Sequence, residues 1–180
     1  CSTLPTNSMS RDIDLSRSYA VKAMDKLAQK QDGMAARDPR AYYHYLMALR
    51  EVLWNQFEKA AEHFRKVVEF DTTNSSLHSQ LAMNLLRAGK IDEAYRSLEK
   101  SLRYFSDDTQ LNMMMADILA ERKEYERALT HYQRVSQVDP TSSRAYLLQG
   151  TVYEHLNQPN LALGIYKKMT QVEPVNPLGH

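Results

Sequence analysis

The chain has 180 residues, of which 43% are hydrophobic, and its 23 basic residues nearly balance its 22 acidic ones. This length fits a single domain, and the even balance of charge argues against the basic face of a nucleic-acid-binding protein. Five glycines and six prolines are too few for a protein of many strands and turns, so the composition favours helices. No apolar run in the sequence reaches the roughly 18 to 20 residues of a membrane span.

Cys1 is the only cysteine in the sequence, so an internal disulfide is impossible. Residues 2–10, STLPTNSMS, follow it as a polar stretch without apolar periodicity, which is typical of a flexible tether. A cysteine followed by Ser2 and such a tether resembles the start of a mature bacterial lipoprotein, in which a signal peptide has been removed and the thiol carries a lipid. This interpretation predicts a lipidated Cys1; the alternative is that the given sequence simply begins there.

Residues 11–40 form a separate segment before the repeated region. Apolar residues recur in it at helical spacing, with charged residues between them. The apolar residues are Ile13, Leu15, Tyr19, Ala20, Ala23, Met24 and Leu27. The pattern predicts an amphipathic helix from about residue 12 to 31, ended by Gly33, and a turn over residues 35–40. We expect its apolar face to cap the first repeat; the alternative is that it lies on a partner or in a binding groove.

Residues 41–176 contain one pattern four times. An alanine recurs at a constant interval, and a large side chain follows each alanine one helical turn later. The alanines are Ala60, Ala94, Ala128 and Ala162, and the large residues are Phe64, Leu98, Tyr132 and Tyr166. A fixed period of this length predicts stacked helical hairpins. The four repeats align without an insertion as 41–74, 75–108, 109–142 and 143–176.

Numbering each repeat from 1 to 34 separates small positions from large ones. Position 8, in the first helix of each repeat (helix A), and position 20, in the second (helix B), always hold alanine or glycine. Small residues opposite large ones let two helices interlock closely, so we expect positions 17 and 30 to fill the space around the small residues. Position 8 is Ala48, Ala82, Ala116 and Gly150; position 17 is Phe57, Ile91, Tyr125 and Pro159; position 30 is Phe70, Tyr104, Val138 and Val172.

These residues resemble the tetratricopeptide repeat (TPR) family. The residues that match its helix A are Leu81, Ala82, Leu85, Gly150 and Tyr153, and those that match its helix B and closing turn are Ala128, Tyr132, Pro140, Ala162, Tyr166 and Pro174. The resemblance covers residues 41–176 and implies an all-α, right-handed superhelical solenoid of four hairpins, preceded here by the N-terminal helix. The sequence departs from the family at position 4, where tryptophan is absent, and at Pro159, which a helix accepts in its first turn.

The resemblance also implies a binding groove lined by the A helices. Its predicted residues are Tyr42, Tyr45, Leu49, Met83, Arg87, Met113, Met114, Asp117, Arg144, Leu147 and Thr151. This surface is apolar and carries methionines, with a few charges of both signs. Because thioethers adapt to varied apolar surfaces, we expect an amphipathic helix or an extended apolar peptide of another protein as its guest. The alternative is that residues 113–115 belong mostly to the core, since one of three consecutive helical residues must face inward.

The sequence contains no recognisable catalytic, cofactor-binding or metal-binding constellation. Its six histidines are scattered, and none has a second histidine or a cysteine three or four residues away, the spacing that puts two ligands on one helix face. His44 and His78 share position 4 and are expected to be packed between helices. The acidic pairs at 92–93 and 107–108 fall at helix starts, where they are explained as caps. We therefore expect no enzyme activity, cofactor or metal.

These features predict a non-catalytic scaffold for protein–protein interaction, tethered by Cys1 to the bacterial cell envelope and facing the periplasm. The resemblance to lipidated TPR proteins implies a role in assembling a pilus, secretion or export complex. Two alternatives stay open: a soluble structural protein that self-associates through uncapped repeat ends, and the adaptor part of a longer enzyme. Because no capping helix follows Asn176, we expect further repeats, self-association or a partner to cover that end.

Overall fold

The computed structural model describes residues 38–172, which form α-helices joined by short turns, without a strand. The helices are α1 (Pro39–Leu53), α2 (Phe57–Phe70), α3 (Ser75–Arg87), α4 (Ile91–Leu102), α5 (Thr109–Glu121), α6 (Tyr125–Val138), α7 (Ser143–His155) and α8 (Pro159–Val172). The chain divides into two compact units, Cys1–Ala88 and Gly89–His180. Unit 1 contains α1 to α3 and unit 2 contains α4 to α8, and in each unit every helix packs against its sequence neighbour. The prediction of an all-α fold is confirmed for these residues.

Four predictions lie outside the described residues. They concern the lipidated Cys1, the tether at residues 2–10, the amphipathic helix at residues 12–31, and the end of the chain after Val172.

Every helix A begins at a side chain that caps it. Asp38, Asn74, Asp108 and Ser142 accept a hydrogen bond from a backbone N–H in the first turn of α1, α3, α5 and α7, respectively. Such caps satisfy donors that a helix start leaves without a partner. The cap at Asp38 also corrects a prediction: residues 39 and 40 are helical instead of part of a turn, because proline fits the first position of a helix.

A residue with left-handed backbone conformation follows each helix A. The four residues are Asn55 (φ 56°), Gly89 (φ 73°), Lys123 (φ 62°) and Asn157 (φ 57°). They occupy the same place in all four repeats, position 15. This conformation ends a helix and turns the chain sharply, so that the next helix begins two residues later.

The small residues at positions 8 and 20 are buried, as predicted. Ala48, Ala82 and Ala116 are fully buried at position 8. Gly150 occupies the same position in α7, where an added Cβ would lie 2.1 Å from Cε1 of Tyr166. The large residue at position 24 of helix B belongs to the core, because Phe64, Leu98 and Tyr132 are all buried.

Position 30, in contrast, does not belong to the core. Phe70, Tyr104 and Val138 are 38%, 74% and 45% exposed, so the prediction that this position fills space around the small residues is wrong. In α2 and α6 a turn of about 100° per residue places position 30 roughly 80° away from position 20 around the helix axis, whereas Tyr104 lies beyond the end of α4. The buried stripe of helix B therefore runs through positions 20, 24 and 27, and position 30 lies beside it.

Candidate functional site

In unit 2, three of the predicted groove residues on α5 and α7 are apolar and at least partly accessible. Met113 and Met114 are half-buried, and Leu147 is 48% exposed. Met115, the third methionine of the run, is buried in the core. Met113, Met114 and Leu147 are referred to below as the methionine face.

Asp117 joins three helices at this face. Its Oδ1 accepts a hydrogen bond from the Tyr132 hydroxyl of α6 at 2.6 Å, and its Oδ2 accepts one from Nη2 of Arg144 of α7 at 3.2 Å. Burial, and then the Asp117 carboxylate, raise the pKa of Tyr132 well above its ordinary value, so Tyr132 is the donor. Both carboxylate oxygens thus already have a partner within the unit.

The hydroxyl of Thr151 is also satisfied internally. Its Oγ1 donates to the backbone oxygen of Leu147 at 3.1 Å, one turn earlier in α7. A groove hydroxyl that is bonded to its own helix offers little to a ligand. Asp117 and Thr151 are therefore bonded within unit 2, while the Arg144 side chain stays largely exposed beside its bond to Asp117.

In unit 1, the predicted residues divide between half-buried and exposed positions. Tyr42, Leu49 and Met83 are half-buried. Arg87 is exposed at the end of α3, and its guanidinium lies 4.6 Å from the centroid of the Phe57 ring, which is within the range of a cation–π contact. Whether these residues bind a partner remains a prediction.

Tyr45 is the one predicted groove residue that the structure places in the core. Its side chain is 6% exposed, and its ring meets that of Phe64 edge to face, with centroids 6.2 Å apart. Burial also raises the pKa of its hydroxyl. The assignment of Tyr45 to the groove is therefore corrected: the ring reaches across to α2 and packs against the large residue of helix B.

The structure brings together two histidines that look unrelated in the sequence. Nδ1 of His44 in α1 and Nδ1 of His63 in α2 are 3.0 Å apart, so one imidazole donates a hydrogen bond to the other. Burial, and then His44, lower the pKa of His63, while Glu51 opposes this shift.

The repeat numbering contains a signal for this pair: His44 is at position 4 and His63 at position 23, and polar residues stand at the same two positions in the third repeat. Those positions hold Asn112 and His131 in unit 2, where Nδ1 of His131 and Oδ1 of Asn112 are 2.9 Å apart. Burial, followed by Arg127, lowers the pKa of His131. His78, which was expected between helices, is 7% exposed. The His44–His63 and Asn112–His131 contacts each link the two helices of one repeat.

Within residues 38–172, no three His, Cys, Asp or Glu side chains lie close enough together to hold a metal ion. Over the same range, none of the helices combines the length and the apolar character that a membrane crossing requires.

Comparison with known proteins places this architecture. Residues 79–141 and 113–172 match the family model described as tetratricopeptide repeat. A curated relative, anaphase-promoting complex subunit 3 of Schizosaccharomyces pombe, is 25% identical over 138 residues, which are 76% of this chain and 21% of that protein. The chain therefore spans about a fifth of the length of this relative.

Solved structures agree on the fold. YrrB, described as a TPR protein with an unusual peptide-binding site, has a TM-score of 0.66 at 19% identity, covering 88% of this chain and 82% of its own. MamA has a TM-score of 0.71 at 17% identity, with coverage of 88% and 93%. A tetratricopeptide repeat protein of Parabacteroides merdae has a TM-score of 0.71 at 20% identity, with coverage of 78% and 56%.

The family model covers more than half of the chain, and the solved structures share its arrangement of paired helices. The chain therefore belongs to the tetratricopeptide repeat family, whose fold is a scaffold for protein–protein interaction.

Proposed function

We propose that this protein captures an apolar or amphipathic segment of another protein on its A helices, with the methionine face as the principal contact in unit 2. The observation that carries the proposal is the shared carboxylate of Asp117. Because Tyr132 and Arg144 bond its two oxygens, the charge of Asp117 is balanced within the unit, and Met113, Met114 and Leu147 of the same two A helices offer a ligand apolar contacts.

The energetics fit a modest affinity. Complete burial of a methionine or leucine side chain contributes about 1.5 to 3 kcal/mol, and association itself has a large unfavourable entropy. Three half-open apolar residues therefore support reversible capture. The solved TPR protein YrrB is described as having a peptide-binding site, which favours a peptide segment as the guest here as well.

The test is site-specific photo-crosslinking in the native host. A photoreactive residue at Leu147 is expected to capture a partner, whereas the same residue at Gln137, which is exposed on α6, serves as the matched control. Met113→Glu is expected to abolish the adduct from Leu147 without changing the helical circular dichroism. Equal capture from both positions, or an adduct that survives Met113→Glu, would contradict the proposal.

The cellular localisation of the protein is a separate part of the proposal. The protein is an envelope lipoprotein that faces the periplasm and supports assembly of a pilus, secretion or export complex. Its support is in the sequence, where the sole cysteine precedes the polar stretch of residues 2–10. The mass of the N-terminal peptide from the native host tests it. A Cys1 that carries diacylglycerol and an acyl chain is expected; an unmodified peptide that extends upstream of Cys1 would remove the anchor and leave the capture proposal standing.

Self-association is a second candidate. Leu161 and Leu163 of α8 are 52% and 55% exposed, and exposed leucines at a repeat end can pack against another copy. Light scattering of the full chain would then show a dimer or larger species that Leu163→Glu reduces to a monomer. A monomer at all concentrations would contradict this candidate.

A further inference from the structure

One face of helix A is buried in every repeat that has a described helix before it. Positions 3, 7 and 10 of α3, α5 and α7 are 5% exposed or less. These residues are Leu77, Leu81, Asn84, Leu111, Met115, Ile118, Ala145, Gln149 and Val152. The burial of three positions that share one side of a helix marks a packing face.

Gln149 shows which helix covers this face. Its Nε2 donates to the backbone oxygen of Tyr132 at 3.1 Å and to Oγ of Ser136 at 2.9 Å. Both acceptors belong to α6, the helix that precedes α7. The packing face of a helix A is therefore the surface on which the preceding helix B lies.

Among the described residues, the corresponding face of α1 is more exposed than those of α3, α5 and α7. Tyr43, at position 3, is 56% exposed, and Met47 and Arg50, at positions 7 and 10, are half-buried. One turn further, Trp54 is 51% exposed, with the Arg50 guanidinium 5.4 Å from its ring centroid. These four residues form the leading face of α1. It is built like an interface between helices, yet no described helix precedes it.

The sequence before α1 carries the pattern of a helix B. In a helix B, a small residue is followed four positions later by a large residue and three positions after that by an apolar one. The same spacing occurs at Ala20, Met24 and Leu27. The same order appears in α2 as Ala60, Phe64 and Val67, all of which are buried, and in α6 as Ala128, Tyr132 and Val135. The interval from Ala20 to Ala60 is longer than one repeat, so the pattern predicts a half-repeat with a longer connection to α1.

We propose that residues 12–31 dock on the leading face of α1, in the place that helix B takes before α3, α5 and α7. The connection suffices, because seven residues separate residue 31 from Pro39 and can span up to about 23 Å, more than the roughly 10 Å between packed helix axes. Covalent linkage gives this segment a high effective concentration at the face, which favours it over a second copy of the chain. Met24 and Leu27 then cover Met47 and Tyr43.

Amide hydrogen exchange of the full chain, resolved by peptide and measured at two protein concentrations, tests this proposal. Residues 12–31 are expected to exchange about 100-fold more slowly than an unfolded chain, equally at both concentrations. Met47→Asp on the leading face is expected to abolish that protection, whereas Leu49→Asp, an equally half-buried residue of the same helix on its groove side, is expected to preserve it. Peptides of α5 to α8 report that unit 2 stays folded.

A second pair of variants covers the case in which Met47→Asp unfolds unit 1. Met24→Asp changes only the docking segment and is expected to release residues 12–31, while Lys22→Asp, on its polar side, is not. Unfolded-state exchange of residues 12–31 in the wild type would overturn the proposal. Protection that rises with protein concentration would also overturn it, because it would indicate docking on a second copy of the chain. Protection that is lost in Leu49→Asp and kept in Met47→Asp would overturn it as well, because it would place the segment in the groove.

Discussion

Position 5 of helix A has opposite environments in the first repeat, which lies in unit 1, and the fourth, which lies in unit 2. In the first repeat it is Tyr45, 6% exposed and packed edge to face against Phe64; in the fourth it is Leu147, 48% exposed. Both residues lie in the same place in the repeat. The comparison shows that the place of a residue in the repeat does not by itself decide whether its side chain is buried or exposed.

Position 9 and position 24 also differ between repeats. The first repeat has Leu49 and Phe64 at these positions, whereas the third has Asp117 and Tyr132, joined by a hydrogen bond of 2.6 Å. An apolar combination and a polar one therefore occupy equivalent places. Where the polar combination stands, the groove side of helix A is held to helix B by a directed bond instead of by packing alone.

The largest effect is expected for the position 5 residues themselves. Tyr45→Ala should lower the free energy of unfolding by about 3 to 5 kcal/mol, because it removes a buried aromatic ring and leaves a cavity. Leu147→Ala should change it by only about 0.5 kcal/mol, as for an exposed site. Urea unfolding followed by circular dichroism measures both. Similar losses for the two variants would mean that position 5 has one role throughout.

Gly150 gives the next largest effect, within unit 2. Gly150→Ala should destabilise the protein by about 1 to 3 kcal/mol, because the new Cβ collides with the Tyr166 ring. Gly164→Ala in α8 is the matched control: its Cβ meets no atom within 4 Å, so it should stabilise by about 0.5 to 1 kcal/mol through helix propensity. Thermal unfolding of the two variants should shift in opposite directions, and equal shifts would contradict the close approach of α7 and α8.

The hydroxyl of Tyr132 tests the polar combination directly. Tyr132→Phe should reduce the free energy of unfolding by about 1 to 2 kcal/mol, because a hydrogen bond to a carboxylate is lost. Tyr104→Phe, at a 74% exposed position, removes the same hydroxyl without a comparable loss. If both variants unfold at the same urea concentration as the wild type, the bond to Asp117 does not stabilise unit 2.

The smallest effect is a dependence of stability on pH. Burial lowers the pKa of His63 and of His131 in the folded protein, so the unfolded chain binds more protons below about pH 6.5. The contribution of the two neutral histidines to the free energy of unfolding should be fully present above that pH. It should fall as the pH drops from there towards their pKa values in the folded protein. The urea midpoint of His63→Gln/His131→Gln should change less between pH 7.5 and pH 5.5 than that of the wild type. An unchanged pH dependence in the double variant would exclude these histidines as its source.

Much of the fold follows from local pattern. The alanines at position 20 and the small residues at position 8 recur once in every repeat, and they predict interlocked helix pairs because close approach needs small side chains. Asp108 was recognisable as a helix cap from its place before an apolar run. Such features depend on neighbours along one helix or in the adjacent one, so they can be predicted once the repeats are aligned.

The candidate site was less predictable. The sequence marked the methionine face, but it could not show that Tyr132 and Arg144 occupy both oxygens of Asp117. Nor could it show that His44 meets His63, since those residues lie on different helices and their contact depends on the rotation of one helix against the other.

The helical period, the small interlocking positions and the TPR family can be predicted from the sequence, because each of these depends on regular spacing along the chain. That Tyr45 is core, that Phe70 and Tyr104 are surface, and that Tyr43 and Trp54 of α1 are exposed emerges only from the tertiary structure. These outcomes depend on which side chains from separate helices compete for the same space. Spacing alone does not specify that competition.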